Sequence, residues 1–174
     1  MSIQHALLTS LLEKPSTGYQ LARRFDRSIG HFWQATHQQI YRELRRMAAS
    51  GWVEVEEKGD DGTRKRKVYH VLAAGRDELQ RWVAEPGSSG ESNEALMVKL
   101  RAEAVLGPIG VRRELERLIR WHEDRLATYR AIEARDFSTD NPTRGQRLQH
   151  QVLRKGISAE EDWLGWARET LEAL

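Results

Sequence analysis

Cysteine is absent from this 174-residue sequence. That excludes disulfides, thiolate nucleophiles, cysteine redox sensing and cysteine-ligated zinc. Long apolar runs are absent as well, and none approaches the roughly 18 residues that a membrane span requires. The first residues show neither a basic leader nor a long apolar segment, so no secretory signal is expected. The expectation is a cytoplasmic chain that does not engage membranes. A large excess of one charge is also missing, because 28 Lys and Arg face 26 Asp and Glu, a net of +2. A pI near 9.0 is therefore a weak pointer to nucleic acid, and what matters is whether cations gather on one face. Phosphate loops, nucleophile elbows and His-Glu-x-x-His patterns do not occur. The six histidines fall at no ligand spacing. Most carboxylates accompany arginines on helix faces, where solvated ion pairs are the ordinary explanation. No catalytic residue, metal or cofactor is expected.

What is present divides in two. Residues 1–85 read as a helical module with a β-ribbon, and Pro86-Gly87-Ser88-Ser89-Gly90 opens a linker over 86–92. Residues 93–174 read as helical. The first helix is predicted from Ser2 to Glu13 with an apolar face of Ile3, Ala6, Leu7, Leu8 and Leu11. Lys14-Pro15 ends it. Thr17 with Gln20, and Thr36 with Gln39, have the spacing of capping boxes, which satisfy orphaned backbone N–H groups at helix starts. The first opens a helix carrying Leu21, Ala22, Phe25 and Ile29. The second opens a helix that runs to Ser50 and stops at Gly51. Two β-prone stretches, 52–56 and 67–71, flank a Gly- and Asp-rich loop and predict a hairpin. A fourth helix follows over Ala73 to Glu85. Three more are predicted near 93–106, 109–135 and 142–173.

The order helix, helix, helix, hairpin, helix is that of a winged helix-turn-helix. The fold class is mainly α with a small β-hairpin. At about 100° per residue, Ile40, Leu44, Met47 and Ala48 share one side of the third helix. Gln38, Tyr41, Arg42, Arg45 and Ala49 lie opposite, with Gln39 and Arg46 beside them. Arginine donates two hydrogen bonds to guanine and glutamine pairs with adenine, so this face suits base recognition; either arginine could instead hold phosphate, which positions the protein without reading sequence. Thr36 and His37, and Thr17 and Tyr19, stand at helix starts suited to phosphate. Arg64, Lys65 and Arg66 place cations at the hairpin tip, where they would release counterions from a DNA backbone. A polar arginine-bearing face alone is usually only solvated surface; its place after two capped helices and before a basic tip makes DNA binding the stronger reading.

These residues resemble the PadR family of bacterial transcriptional regulators. The resemblance is carried by Gly18-Tyr19-Gln20-Leu21, Gln39-Ile40-Tyr41-Arg42-Glu43-Leu44, Gly51-Trp52-Val53 and Val68-Tyr69-His70-Val71, continued by Gly75, Leu79 and Trp82. In the C-terminal half it is looser, resting on Leu100, Trp121, Trp163 and Leu164. Two departures are Gln38, where the family often has a small residue, and Ala73, where a threonine commonly caps the helix after the wing. The resemblance implies a homodimer with one winged helix per subunit. It also implies repression at an inverted-repeat operator, relieved by a small effector such as a phenolic or other aromatic acid.

In the C-terminal half, Val111, Leu115, Leu118, Ile119, Leu126, Tyr129 and Ile132 form one apolar stripe. Leu148, Val152, Ala159, Trp163, Trp166, Ala167, Thr170, Leu171 and Leu174 form another, interrupted by Gly156, where helices can approach closely. Three helices offer little to cover both stripes, which points to a second subunit. An aromatic acid needs an apolar slot and a cation or donor for its carboxylate. His122, Arg125 and Tyr129 are candidates, with His5 or Trp33 closing the site; a histidine among leucines is more ordinarily a satisfied core residue. The rival to DNA binding is a winged-helix adaptor that contacts only protein, which would keep the core pattern but need no basic tip.

Overall fold

The computed structural model describes residues 3–27, 35–58, 66–85, 93–139 and 141–174. Its elements are α1 (Ile3–Glu13), β1 (Ser16–Thr17), α2 (Gly18–Arg27), α3 (His37–Ala49), β2 (Val53–Lys58), β3 (Arg66–Val71), α4 (Ala73–Ala84), α5 (Asn93–Leu106), α6 (Val111–Asp136) and α7 (Arg144–Ala173). One compact unit spans Met1–Val111 and a second spans Arg112–Leu174. Among the described residues, no helix is long and apolar enough to cross a membrane.

The first unit is built around α1, which packs against α2, α3, α4, α5 and β3. Ala6, Leu7, Leu8 and Leu11 are wholly buried, and so are Thr9 and Ser10. A helix enclosed on this scale cannot be amphipathic in the ordinary sense. Its buried polar atoms are therefore bonded: the Thr9 hydroxyl donates to the His5 carbonyl at 2.9 Å. At its C-terminus the carbonyls of Ser10 and Lys14 accept from Arg24 Nη2 at 2.5 and 2.8 Å. One guanidinium from α2 thus adds a second bond to the Ser10 carbonyl, which also accepts from the Lys14 amide at 3.3 Å, and satisfies the Lys14 carbonyl beyond the helix end.

Both predicted capping boxes form. Thr17 Oγ1 accepts from the Gln20 amide at 3.2 Å and Gln20 Oε1 accepts from the Thr17 amide at 3.1 Å. Thr36 and Gln39 repeat the exchange at 3.2 and 2.9 Å. α3 ends at Ala49 with Ser50 as its cap, and Gly51 takes φ of 70°, a left-handed conformation that glycine adopts freely. Ile29, expected on α2, lies outside the described residues.

β2 and β3 pair antiparallel from Val53↔Val71 to Lys58↔Arg66, longer than the stretches predicted from sequence. A two-residue strand that sequence reasoning did not anticipate, β1, pairs with the other edge of β3, giving the order β1-β3-β2. Ala73 already lies inside α4. The cap position is Leu72, whose side chain makes no capping bond, so the missing cap belongs one residue earlier than the sequence placed it. Three residues after that cap, Gly75 is enforced by packing, because a Cβ there would stand 2.3 Å from the Trp52 carbonyl oxygen and 3.1 Å from Leu8 Cδ2.

The sequence grouped 93–106 with the C-terminal half. In the fold, α5 packs on α1 and α4 within the first unit. Ala95, Leu96, Val98 and Ala102 are buried there, and Arg101 forms a two-pronged ion pair with Glu13 at 2.8 and 2.6 Å. Periodicity identifies an apolar face but not what it covers. The buried Glu103 closes this unit, accepting from the Ile109 and Val111 amides at 3.2 and 2.9 Å.

In the second unit α6 and α7 run antiparallel. Arg112 meets Leu171, His122 meets Glu160, and Glu133 meets His150. A third capping box, Thr143 with Gln146, opens α7. The buried stripe of α7 is Ile157, Glu160, Leu164 and Ala167, turned from the predicted one. Leu148 and Val152 are exposed, the latter at 76%. Gly156 does admit a close approach: the Tyr129 ring lies 3.2 Å from where its Cβ would be.

Candidate nucleic-acid interface

α3 is divided as its wheel predicts. Ile40, Leu44 and Met47 are wholly buried. Thr36, His37, Gln38, Gln39, Arg42, Arg45 and Arg46 are exposed, and Tyr41 stands at the margin. Several of these groups also have local duties. Thr36 and Gln39 hold each other in the capping box. The Tyr41 ring packs at the start of α2, where a Cβ on Gly18 would come within 2.5 Å of Cε1. Only part of that ring remains to meet a ligand.

Glu43 was not singled out from sequence. It is 5% exposed although it sits on the helix that carries the arginines. Oε1 accepts from Arg46 Nη1 at 3.0 Å and from Arg42 Nε at 3.3 Å, and Oε2 accepts from Gln4 Nε2 of α1 at 3.1 Å. Its spacing to Arg46, three residues, is the sequence signal for such a pair, but spacing alone reads as solvated surface. Arg45 has no carboxylate partner among the described residues. It lies near Tyr69, whose phenol burial raises in pKa while the Arg45 charge acts in the opposite direction.

At the second helix start, the Thr17 hydroxyl is engaged with Gln20. Tyr19 is 59% exposed, with the Arg23 guanidinium 5.9 Å from its ring centre. On the hairpin, Arg66 is exposed opposite Lys58. Arg64 and Lys65 lie outside the described residues. Along the strands the basic side chains have acidic neighbours: Lys67 stands 3.8 Å from Glu57, and the His70 ring Nε2 stands 2.9 Å from Glu56.

Of the residues proposed for an effector, His5 belongs to the first unit and His122, Arg125 and Tyr129 belong to the second. Trp33 lies outside the described residues. His5, in the first unit, is buried and stacked on Trp82 with ring centres 4.4 Å apart. Its Nε2 is 3.1 Å from Glu78 Oε1. Burial lowers the His5 pKa against the raising effect of Glu78. Glu78 is lowered to about 2, first by its hydrogen bond from Arg81 and then by His5.

In the second unit, His122, Arg125 and Tyr129 do come together, around Glu160. His122 Nδ1 lies 2.5 Å from Glu160 Oε2, and its ring stacks on Trp163 at 3.6 Å. Arg125 Nη2 is 3.2 Å from Glu160 Oε1 and donates to the Tyr129 hydroxyl at 2.9 Å. The guanidinium also lies 4.5 Å from the Trp121 ring centre. Glu160, missed by sequence reasoning, already supplies the anion that His122 and Arg125 were expected to receive from a ligand. His122 is thus both paired with a carboxylate and stacked on a ring within its own unit.

Comparison with known proteins places this geometry in context. Residues 7–81 match the family described as Transcriptional regulator PadR-like family, and residues 93–174 match Virulence activator alpha C-term. The chain is 43% identical over 185 residues to "Probable transcriptional regulator Rv1176c" of Mycobacterium tuberculosis, covering all of this chain and 98% of that one. It is 24% identical over 183 residues to "Negative transcriptional regulator PadR" of Bacillus subtilis, covering 99% and 97%. Among solved structures, the Vibrio cholerae virulence activator AphA is similar at 32% identity and a TM-score of 0.44, covering 99% of this chain and 97% of that one.

Proposed function

The chain belongs to the PadR-like family of transcriptional regulators, which are not enzymes, and from that premise we propose that it binds operator DNA as a homodimer through α3 and the β2–β3 hairpin. The single observation that carries the reading is the division of α3. Its apolar side is sealed into the unit, while Gln38, Arg42, Arg45 and Arg46 face outward. Arg42 and Arg45 are the guanine-reading candidates. Thr17, Tyr19, Thr36 and His37, at two helix starts, would meet phosphate. Arg66, with Arg64 and Lys65 next to it in sequence, serves the backbone along the wing.

The exposed Leu148 and Val152 of α7 support a second copy as the partner of the C-terminal half. A two-fold assembly would set two recognition helices about 34–36 Å apart, matching an inverted repeat in successive major grooves. Repression is the direction adopted, in keeping with the name of the Bacillus subtilis relative. Release by a small aromatic acid near Trp121 and Trp163 requires the acid to compete with Glu160 for Arg125. It can act only through unequal affinity for the bound and released geometries.

A mobility-shift titration against the DNA upstream of the chain's own gene tests this. The expected result is a salt-sensitive complex tighter than that with an unrelated duplex, weakened by aromatic acids. Binding to neither duplex would favour a protein-contacting adaptor instead, and equal binding to both would exclude a specific operator.

A further inference from the structure

We infer that Glu43 is a specificity-determining residue that restrains α3 from binding arbitrary DNA by holding Arg42 and Arg46. This rests on the DNA-binding reading above and extends it to a residue outside the contact face. The carboxylate is 5% exposed, yet both guanidinium-bearing side chains are largely open to solvent, at 59% and 62%. The anion is therefore the fixed member of the cluster and the arginines are the movable ones. Gln4, on the enclosed helix α1, donates to Glu43 Oε2 at 3.1 Å and ties the carboxylate to the core.

Two consequences follow. Three arginines and one glutamate give the face two net charges rather than three, which weakens the sequence-independent attraction to phosphate. A guanidinium must also loosen a charge-assisted hydrogen bond before it grips a phosphate fully. A matching base sequence repays that loss with oriented contacts, whereas an arbitrary sequence does not. Among the described residues Arg42 engages Glu43 through Nε, which leaves its terminal nitrogens outside that bond and able to meet a guanine edge while the anchor holds. Arg45, without a carboxylate partner among the described residues, is outside this restraint.

The test uses the full chain and its Glu43→Gln variant. Each is titrated with a random-sequence 30-base-pair duplex and with a duplex that the unaltered protein selects from a random pool, across a salt series. Releasing one more counterion steepens the logarithmic salt slope by about 0.9 and tightens binding by up to about eightfold near 0.1 M salt. The variant is expected to gain that affinity on the random duplex and less on the selected one, so the ratio between them falls. Glu43→Leu removes the charge without burying a second amide beside Gln4, and supplies the same readouts if Glu43→Gln does not fold. Gln4→Ala, which keeps the charge, is expected to leave the salt slope unchanged. Unaltered slope and unaltered random-duplex affinity in both Glu43 variants overturn the inference. Failure of the unaltered protein to bind either duplex would instead overturn the DNA-binding reading on which it depends.

Discussion

The ring of Tyr41 occupies the space into which any side chain at Gly18 would grow, at 2.5 Å from an added Cβ. This contact joins the start of α2 to the outward side of α3, so the angle between the two helices depends on an absent side chain. Gly18→Ala is expected to push the ring outward and cost about 1–3 kcal/mol, the usual range for overpacking. Urea unfolding measures the loss, and a mobility shift should show weaker DNA binding in the variant that remains folded. Unchanged stability would mean that Tyr41 moves away freely and does not set the helix pair.

Gly75 is under a harder constraint, because its neighbour is the backbone carbonyl of Trp52 at 2.3 Å from an added Cβ. A flexible side chain can retreat, but this carbonyl also accepts from the Leu72 amide at 2.9 Å. Gly75→Ala is therefore expected to cost more than Gly18→Ala, about 3 kcal/mol. The two variants should be compared in one denaturant series, and the reverse order of loss would contradict the packing described.

His5 and Glu78 make stability depend on pH in one direction. Burial lowers the His5 pKa from 6.5, so below that value the unfolded chain takes up the proton more readily than the folded one. Its contribution is present above about pH 6.5 and is lost on acidification. Glu78, lowered to about 2, contributes above 4.5 and loses its contribution as pH falls toward 2. His5→Phe keeps a ring against Trp82 and removes the titration. Relative to the unaltered protein, this variant should gain ground in urea unfolding as pH drops from 7.5 to 5.5. A constant difference across that window would count against the buried, neutral His5.

Glu160 holds the second unit at its centre. Glu160→Ala leaves His122 and the half-exposed Arg125 without their shared anion. A cost of about 2 kcal/mol is expected, below the usual 3–5 for a fully buried pair because Arg125 reaches solvent. A change under about 0.5 kcal/mol in urea unfolding, the size of an ordinary surface substitution, would show the cluster to be peripheral.

The local part of this fold was legible in the sequence. Capping boxes at Thr17 and Thr36 depend on two side chains three residues apart, and the burial of Ile40, Leu44 and Met47 depends only on helical period. The two residues of β1 are too few to carry a period, so the third strand was not. The apolar face of α5 was visible, but not that α1 and α4 cover it. Glu43 and Glu160 looked like members of solvated Arg–Glu pairs, because spacing records which side chains can meet and not whether water surrounds them. The outward position of the arginines on α3 was therefore legible from helical period, while the buried Glu43 carboxylate bonded to two of them was not.

Protection of guanine N7 from dimethyl sulfate reports directly on occupancy of the major groove, where the account places α3. On the upstream DNA, the unaltered protein should protect guanines in two clusters about one helical turn apart. Arg45→Ala, which removes a base contact worth about 1–3 kcal/mol, should erase protection at the guanine it reads in each cluster. A stable complex in which every guanine N7 stays fully reactive would contradict the account.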